Sequence, residues 1–459
     1  MKKKLAAILT IVLVFAMLAT VLVACDKKGS EEVTFYYYAM QTGLNTELQA
    51  KLNAFTEKTG IKVKPVPISK DNYNTSVTTK LTSKNPGIDV MYLDQPNLAQ
   101  YATPGYILNL DEYVTTSSSE EGTVEANNDV GFAFNKNAFI GSAWQTTQLN
   151  GSTYAIPLTL NTSVLYYNVK TIAQATGLSE DAAIAAVEAI KTWDDLKTFA
   201  EGINGIGSTY ALFGGMGNGG YLGWYSQVFV AAAGGTMYDA ASKTVLPNND
   251  GSVTRAFEMI KYLFDKSPKS IRDTSTGFTG STSEPAGKIL FSLADSSSIN
   301  DLKSRTYTTF RAIPVPGESE AIGSVSNIGG ENLVIPARTA NKEQALKLVQ
   351  FLVSGECMPL FEKCTNNFAA VNKYATVKEF ADMEDNATVK ATVTHLYSVV
   401  KLQLATAQVR PVVAGWMNVN DKSIPTALVK YVDPTGSDVL TSVDAVLAAI
   451  REDAASYLK

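Results

Sequence analysis

The chain has 459 residues, of which 45% are apolar and 18% charged, a composition typical of a globular protein rather than a disordered or coiled-coil one. Its 39 basic and 44 acidic residues give a net charge of −5 with no basic stripe, which argues against a nucleic-acid partner. One histidine, His395, and three cysteines are too few for a His-rich zinc site, a Cys₄ cluster or a disulfide framework. We therefore expect no metal and no cofactor, and a catalytic mechanism would have to rest on His395 alone or on carboxylates.

The N-terminal segment predicts export. Residues 1–24 carry three lysines ahead of an unbroken apolar run, the pattern of a signal peptide. The run ends at Leu22-Val23-Ala24-Cys25, which resembles the lipobox of bacterial lipoproteins, and that resemblance implies a lipid on the thiol of Cys25. Residues 25–32 would then be a lipidated N-terminus and polar tether at the outer face of the cell membrane. The other interpretation is a membrane anchor that happens to contain a cysteine.

Beyond residue 32, short β-branched or aromatic runs alternate with amphipathic helical stretches, which is typical of an α/β protein. No repeat and no low-complexity linker divides this part, so we expect lobes built from interleaved segments. Polar segments 115–130 and 273–285 predict surface loops. The predicted elements are strands at 33–38, 61–66, 88–93 and 333–335, and helices from 44 to Gly60, from Thr192, at 342–353 and at 441–458.

A set of short motifs between Val33 and about Tyr431 keeps one order along the chain. It includes Thr59-Gly60-Ile61-Lys62-Val63, Asn85-Pro86-Gly87-Ile88-Asp89-Val90, Gly105-Tyr106-Ile107-Leu108-Asn109-Leu110, Tyr154-Ala155-Ile156-Pro157, Gly234-Gly235, and Gly329-Gly330 ahead of Leu333-Val334-Ile335. In this order the chain resembles the extracellular solute-binding proteins of bacterial ABC importers, specifically the sugar-binding, maltose-binding-protein-like group.

The resemblance implies a periplasmic-binding-protein-like α/β fold with two discontinuous lobes and a multi-strand hinge. It places residues 33–160 and 325–375 in lobe 1, and residues 161–324 and 376–459 in lobe 2. The implied function is capture of a mono- or oligosaccharide by lobe closure and delivery to the transmembrane subunits of an ABC permease. We expect a monomer that is attached to the membrane only by its N-terminal lipid.

A sugar site needs aromatic faces for the ring and carboxylate, amide or guanidinium groups for the hydroxyls. In α/β proteins such groups are expected at the carboxyl ends of strands. Many relatives carry tryptophan after the Gly-Gly pair, whereas Glu331 follows here, which keeps a non-sugar solute such as a peptide or polyamine open. The predicted ligand-binding residues are Tyr38, Gln41, Asp94, Asn161, Trp224, Tyr225, Asp295, Glu331, Arg410 and Trp416.

Several of these residues have a purely structural interpretation. Asp94 would also serve as a cap or turn residue, and Arg410 as the partner of a buried ion pair. We favour Trp224 and Trp416 as ligand contacts because a surface-loop tryptophan in a secreted protein needs a reason to exist. Cys357 and Cys364, seven residues apart with Pro359 between them, are either bridged or simply buried.

Two other functions are compatible with parts of the sequence. Gly215-Met216-Gly217-Asn218-Gly219-Gly220 fits the dinucleotide-binding pattern G-x-G-x-x-G, with Asp239 at about the right distance downstream. We reject it because the motif lies mid-chain and Trp224 and Tyr225 would crowd a pyrophosphate. A secreted carbohydrate-active enzyme would need two carboxylates across the sugar, and the chain has acids enough. The resemblance leaves no separate catalytic domain, so we expect no enzyme activity.

Overall fold

The computed structural model describes residues 32–39, 42–215, 219–272, 286–299, 310–382, 384–434 and 437–458. The predicted signal peptide, the lipobox with Cys25, the site candidate Gln41 and the predicted loop 273–285 lie outside the described residues. None of the helices within these ranges is long and apolar enough to cross a membrane.

The strands have between two and seven residues, except β10, which has ten. They are β1 Glu32–Tyr38, β2 Lys62–Ile68, β3 Val90–Asp94, β4 Val114–Thr115, β5 Thr123–Glu125, β6 Phe132–Asn135, β7 Gln148–Leu149, β8 Ser152–Thr153, β9 Ile156–Pro157, β10 Thr159–Asn168, β11 Ala211–Phe213, β12 Tyr238–Asp239, β13 Thr244–Val245, β14 Ile289–Asp295, β15 Phe310–Ile313, β16 Ser326–Gly329, β17 Glu331–Val334, β18 Phe368–Ala369 and β19 Ala407–Gln408.

The helices cover the faces of the sheets. They are α1 Thr42–Thr59, α2 Lys70–Leu81, α3 Leu98–Ala102, α4 Gly141–Gln145, α5 Val169–Thr176, α6 Glu180–Glu188, α7 Trp193–Glu201, α8 Gly219–Ala232, α9 Ser252–Asp265, α10 Lys269–Arg272, α11 Lys342–Leu352, α12 Met358–Thr365, α13 Val377–Asp382, α14 Ala387–Leu404, α15 Trp416–Asn418, α16 Ile424–Val432 and α17 Val443–Ala454. A π-helical turn at Val419–Ser423 joins α15 to α16.

The first sheet has the order β2-β1-β3-β17-β9. Its β1 is parallel to β2 and β3, because α1 and α2 carry the chain back across the sheet between them. Strand β17 is antiparallel to β3 and β9, so a segment from beyond residue 330 completes a sheet that begins at residue 32. The carboxyl ends of β1 and β3, at Tyr38 and Asp94, therefore lie at the same edge.

The second sheet has the order β11-β14-β10-β16-β19, and β15 and β18 also pair with parts of β10. Nine of the ten residues of β10 are buried, as expected for the centre of a sheet covered on both faces. One hydrophobic core lies around the first sheet and another around α5 to α9, α16 and α17. Both sheets draw on distant parts of the chain, so the two-lobed, discontinuous α/β fold expected above is confirmed, while its residue boundaries stay a prediction.

The chain crosses between the two sheets at two places, and at each of them a strand of one sheet is followed almost directly by a strand of the other. One residue, Leu158, separates β9 from β10, and one residue, Gly330, separates β16 from β17. Gly330 has a φ of 126°, and a Cβ there would overlap the carbonyl oxygen of Thr159 and lie 2.6 Å from the Cα of Leu160. Only glycine fits this crossing, which accounts for the second residue of the Gly329-Gly330 motif.

Local sequence signals are reproduced closely. Helix α1 ends one residue before Gly60, which has a φ of 74°. The predicted cap of α7 is a complete capping box between Thr192 and Asp195. The predicted loop 115–130 is wrong in part, because β5 within it pairs antiparallel with β6.

Cys357 and Cys364 are both free thiols, at the start and near the end of α12.

Candidate functional site

Strand β10 presents three polar side chains on one face, because alternate residues of a strand point the same way. The Thr159 hydroxyl donates to Oε2 of Glu331 at 2.9 Å. The Asn161 amide nitrogen lies 3.5 Å from Oδ2 of Asp295, and the Ser163 hydroxyl accepts the indole N–H of Trp224 at 2.7 Å. This stripe therefore collects side chains from β17, β14 and α8 beside the two crossings.

An ion pair joins the two sheets at the same place. Both guanidinium Nη atoms of Arg410 bond the two carboxylate oxygens of Asp94 at the end of β3. Arg410 also donates from Nε to the carbonyl of Ile328 on β16 at 3.1 Å, and its backbone carbonyl accepts from Gln95 at 2.7 Å. Only 7% of Arg410 is exposed, so Arg410 occupies the position of a buried ion-pair partner, one of the two roles expected for it. The guanidinium group lies 5.4 Å from the ring centre of Trp224, which brings the pair beside the stripe.

Glycine makes room for the second-sheet side of the site. A Cβ on Gly329 would overlap Oδ1 of Asn161 and lie 3.2 Å from the ring of Trp224. Oδ1 of Asn161 is buried and has no hydrogen-bond partner among the described residues. This acceptor is enclosed beside the half-buried indole of Trp224, and nothing among the described residues satisfies it.

Tyr38 forms the aromatic wall at the end of β1. Its ring packs edge-on against Tyr73 and Tyr92 with centroid distances of 4.5 Å and 5.6 Å. Burial raises the pKa of its hydroxyl well above the usual value, and the charges of Asp94 and Glu331 add to this. The hydroxyl therefore stays protonated and remains available as a donor at neutral pH.

Acidic groups dominate the electrostatics of the site. Burial raises the pKa of Glu331, with smaller contributions from the charges of Asp94 and Asp295, while Lys70 and the Thr159 hydrogen bond act in the opposite direction. Burial likewise raises the pKa of the Asp421 carboxyl, with the charge of Asp94 adding to the shift. In pairing, Glu331 stands directly opposite Asp94 on β17 and β3. The site can accept hydrogen bonds from several hydroxyl or ammonium groups.

The ten sequence-predicted residues divide into three groups. Tyr38, Asp94, Asn161, Trp224, Asp295, Glu331 and Arg410 lie together around the crossings, whereas Gln41 is outside the described residues. Tyr225 is buried in the second core, and its hydroxyl lies 3.3 Å from the carbonyl oxygens of Gly215 and Leu293. Trp416 is 0% exposed and packs against Tyr238. The premise that Trp416 lies on a surface loop is wrong, because it starts α15 inside the core.

Four neighbouring residues were not predicted, namely Lys70, Thr159, Ser163 and Asp421. The alternation of Thr159, Asn161 and Ser163 in an otherwise apolar and aromatic strand could have indicated two of them. No local signal points to Lys70 or Asp421, since each reaches the site through the placement of its helix. No group of acidic, histidine or cysteine side chains suited to a metal ion occurs in the part of the chain that the structure describes.

Comparison with known proteins gives one family and a consistent fold. The family described as bacterial extracellular solute-binding protein matches residues 41–356. The GacH receptor of Streptomyces glaucescens, solved unliganded and with acarbose, is 21% identical, with a TM-score of 0.65 over 93% of this chain and 98% of that one. The sugar-binding protein MalE of Xanthomonas citri is 16% identical, with a TM-score of 0.70 over 93% and 97%. A Thermotoga lettingae solute-binding protein bound with α-D-tagatose is 18% identical, with a TM-score of 0.67 over 94% and 100%.

Proposed function

The chain belongs to the bacterial extracellular solute-binding proteins, and from that premise we propose that it captures a mono- or oligosaccharide between its lobes for an ABC importer. The observation that carries this proposal is the polar stripe of β10. Its three side chains contact Glu331, Asp295 and Trp224, and so combine carboxylate, amide and indole groups within one site. Carboxylates and an amide suit the fan of sugar hydroxyls, and an indole face suits the C–H surface of the ring.

Closure would follow from the position of the site between the sheets. A ligand that contacts Tyr38 and Glu331 of the first sheet and Asn161 of the second makes both sets of contacts only when the lobes approach each other. We propose that the closed form is the one delivered to the transmembrane permease, and that the lipid on Cys25 keeps the protein at the outer face of the membrane. The structures bound to acarbose and α-D-tagatose support a sugar ligand by fold likeness alone.

A polyamine is the second candidate, and the acidic character of the site is the observation that favours it. Asp94, Asp295, Glu331 and Asp421 supply carboxylates, while Arg410 already pairs with Asp94. Ammonium groups would be attracted by such a site. The indole of Trp224 and the amide of Asn161, which are neutral groups within the same site, favour the sugar.

A thermal-shift screen across monosaccharides, oligosaccharides, amino acids and polyamines tests this proposal. We expect the largest rise in Tm with a saccharide, together with a smaller radius of gyration in small-angle scattering. Asn161→Ala should weaken that binding at least about tenfold, since one good hydrogen-bonding group is worth about 1.5 kcal/mol. The matched control is Asn204→Ala, an exposed amide on the loop after α7, which should leave binding unchanged.

The screen also separates the alternatives. A rise in Tm only with polyamines would replace the sugar by a cation, and no rise with any solute would overturn capture. Incubation with labelled oligosaccharides checks for catalysis, and sustained turnover would contradict a binding protein. Mass spectrometry of the membrane-bound protein should find a chain that begins at Cys25 and carries added lipid mass, and an unmodified chain that still holds residues 1–24 would contradict the lipid anchor.

A further inference from the structure

Basic side chains collect at the amino ends of the parallel strands of the first sheet. Lys62 begins β2 and stands directly opposite Glu32, the first residue of β1. Lys64 follows two residues later, and both lysines are exposed on this edge strand. Lys84 lies in the loop that leads into β3 and is also exposed. Because β1 is parallel to β2 and β3, these residues share one edge of the sheet, and the cleft lies at the opposite edge.

A fourth cation, Arg338, reaches the same edge from a distant part of the chain. Strand β17 is antiparallel to β3, so the residues that follow β17 lie at the amino end of β3. Nη1 of Arg338 donates to the carbonyl of Ser83 at 2.9 Å. The start of α11 is held there as well, because the Asn341 amide donates to the carbonyl of Glu32 at 3.2 Å. One surface, the basic edge, is thus formed by Lys62, Lys64, Lys84 and Arg338.

The basic edge has an excess of exposed positive charge. Other lysines of the first lobe are neutralised by ion pairs, namely Lys58–Glu356, Lys342–Glu112 and Lys347–Glu343. The four cations of the basic edge form no ion pair with another described residue. Glu32 and Glu57 are exposed nearby, whereas Asp89 is buried and its carboxylate is bonded by the backbone N–H of Thr34 and the amide of Asn341. Four exposed cations therefore stand against two exposed anions.

The basic edge is also where the chain connects to the lipid proposed on Cys25. Glu32 is the seventh residue after Cys25, so their Cα atoms are at most about 25 Å apart. A lipid in the bilayer therefore keeps the basic edge within that distance of the headgroups. The cleft begins at the other end of β1, about 20 Å away along the length of this strand.

We propose that the basic edge binds the anionic headgroups of the cell membrane, so that the anchored protein rests with its cleft facing away from the bilayer. Lysine and arginine side chains are attracted to phosphate headgroups, and the attraction falls off within a Debye length of about 8 Å at physiological ionic strength. In this orientation the cleft is open to solutes outside the cell, and delivery to a membrane permease requires the basic edge to detach. The inference rests on the lipid anchor in the proposed function and is independent of the solute that is bound.

Lysine labelling on vesicles tests this orientation. The protein is purified from the membrane fraction in detergent and returned to vesicles of phosphatidylcholine alone or of an equimolar mixture with phosphatidylglycerol. Acetylation by a succinimidyl ester, followed for each lysine by mass spectrometry, reports which surface lies against the lipid. We expect Lys62, Lys64 and Lys84 to be acetylated at least about threefold more slowly on the anionic vesicles, and equally fast on both kinds at high salt.

Two exposed lysines are internal controls. Lys70 lies on the same lobe beside the cleft, with its Nζ 6.0 Å from the ring centre of Tyr38. Lys243 lies between β12 and β13 on the second lobe. Both should be acetylated at the same rate on either kind of vesicle.

A double variant tests whether the charge of the basic edge causes the protection. Lys62→Gln with Arg338→Gln removes two of its four cations and should reduce the protection of Lys84. The matched control is Lys170→Gln with Lys243→Gln, which removes two exposed cations from the second lobe and should leave Lys84 protected. Equal protection of Lys84 in both double variants would overturn the electrostatic role of this surface.

The remaining outcomes separate this surface from the anchor. Equal acetylation of the basic-edge lysines on both kinds of vesicle overturns the surface and leaves the lipid anchor standing. Protection of Lys70 in place of Lys62 overturns the orientation, because the cleft would then face the membrane. Protection in native membranes but not on anionic vesicles overturns the lipid as the partner. A protein that stays on neither kind of vesicle overturns the anchor and this surface together, whereas the thermal-shift screen tests sugar capture separately.

Discussion

Replacement of Arg410 by alanine should destabilise the protein more than any loss of a single surface arginine. The change removes both bonds to Asp94, the bond to the Ile328 carbonyl and the contact with the Trp224 ring. Breaking a buried pair by removing one partner typically costs 3–5 kcal/mol. The Asp94 side chain is 26% exposed and can be partly rehydrated, so we expect the low end, about 3 kcal/mol.

Urea unfolding followed by circular dichroism measures this for wild type, Arg410→Ala, Asp94→Ala and the double variant. Because each single change leaves a charge without its partner, the double variant should be more stable than the sum of the two losses predicts, with a coupling energy of about 2 kcal/mol. Arg338→Ala is the control: Arg338 is exposed and donates to the Ser83 carbonyl at 2.9 Å, so its loss should cost less than about 0.5 kcal/mol. A coupling energy below about 0.5 kcal/mol would refute the claim that this pair holds the sheets together.

Two further substitutions test the effect of Glu331 on stability and the need for glycine at position 330. Because burial raises the pKa of Glu331, the folded protein keeps a proton that the unfolded chain has lost, so stability should fall as pH rises through the range above the ordinary carboxyl pKa. Glu331→Gln should flatten that decline and raise the unfolding free energy at pH 7. The control is Glu57→Gln, at an exposed position, which should do neither. Identical profiles of unfolding free energy against pH for Glu331→Gln and wild type would contradict the argument. Gly330→Ala should cost about 3 kcal/mol or more from its φ and the overlap with Thr159. Gly60→Ala, where a Cβ meets nothing within 4 Å, should cost only about 1 kcal/mol in urea unfolding, and equal losses would contradict the steric argument.

The parts of the fold that depend on neighbouring residues could be predicted from sequence. The runs at 33–38, 61–66 and 88–93 appear as β1, β2 and β3 within two residues, because period and composition decide strand formation locally. The rule that ligand groups follow strand ends brought Tyr38, Asp94 and Asp295 into the candidate list, and the structure places all three around the crossings.

Contacts between distant segments could not be predicted in the same way. The Asp94–Arg410 bond spans 316 residues, and no local pattern distinguishes that arginine from one facing solvent. Trp416 shows the converse error, since the expected position on a surface loop is wrong and tertiary packing leaves this residue 0% exposed. The polar stripe of β10 is an intermediate case. The alternation of Thr159, Asn161 and Ser163 is visible in the sequence, but the residues that they contact are not.

The position of β17 has a consequence for how the molecule acquires its structure. This strand lies between β3 and β9 in the first sheet, although more than 170 residues separate it from β9 along the chain. If the chain emerges N-terminus first, whether from the ribosome or during export, the edge of β3 that pairs with β17 has no partner until residues 331–334 follow. We expect the first lobe to be unable to complete its sheet before most of the second lobe exists, which makes folding slow and leaves an open strand edge vulnerable to aggregation. The interleaving that couples the two lobes in the folded protein thus also determines that folding of the first lobe can be completed only after residues 331–334 are available.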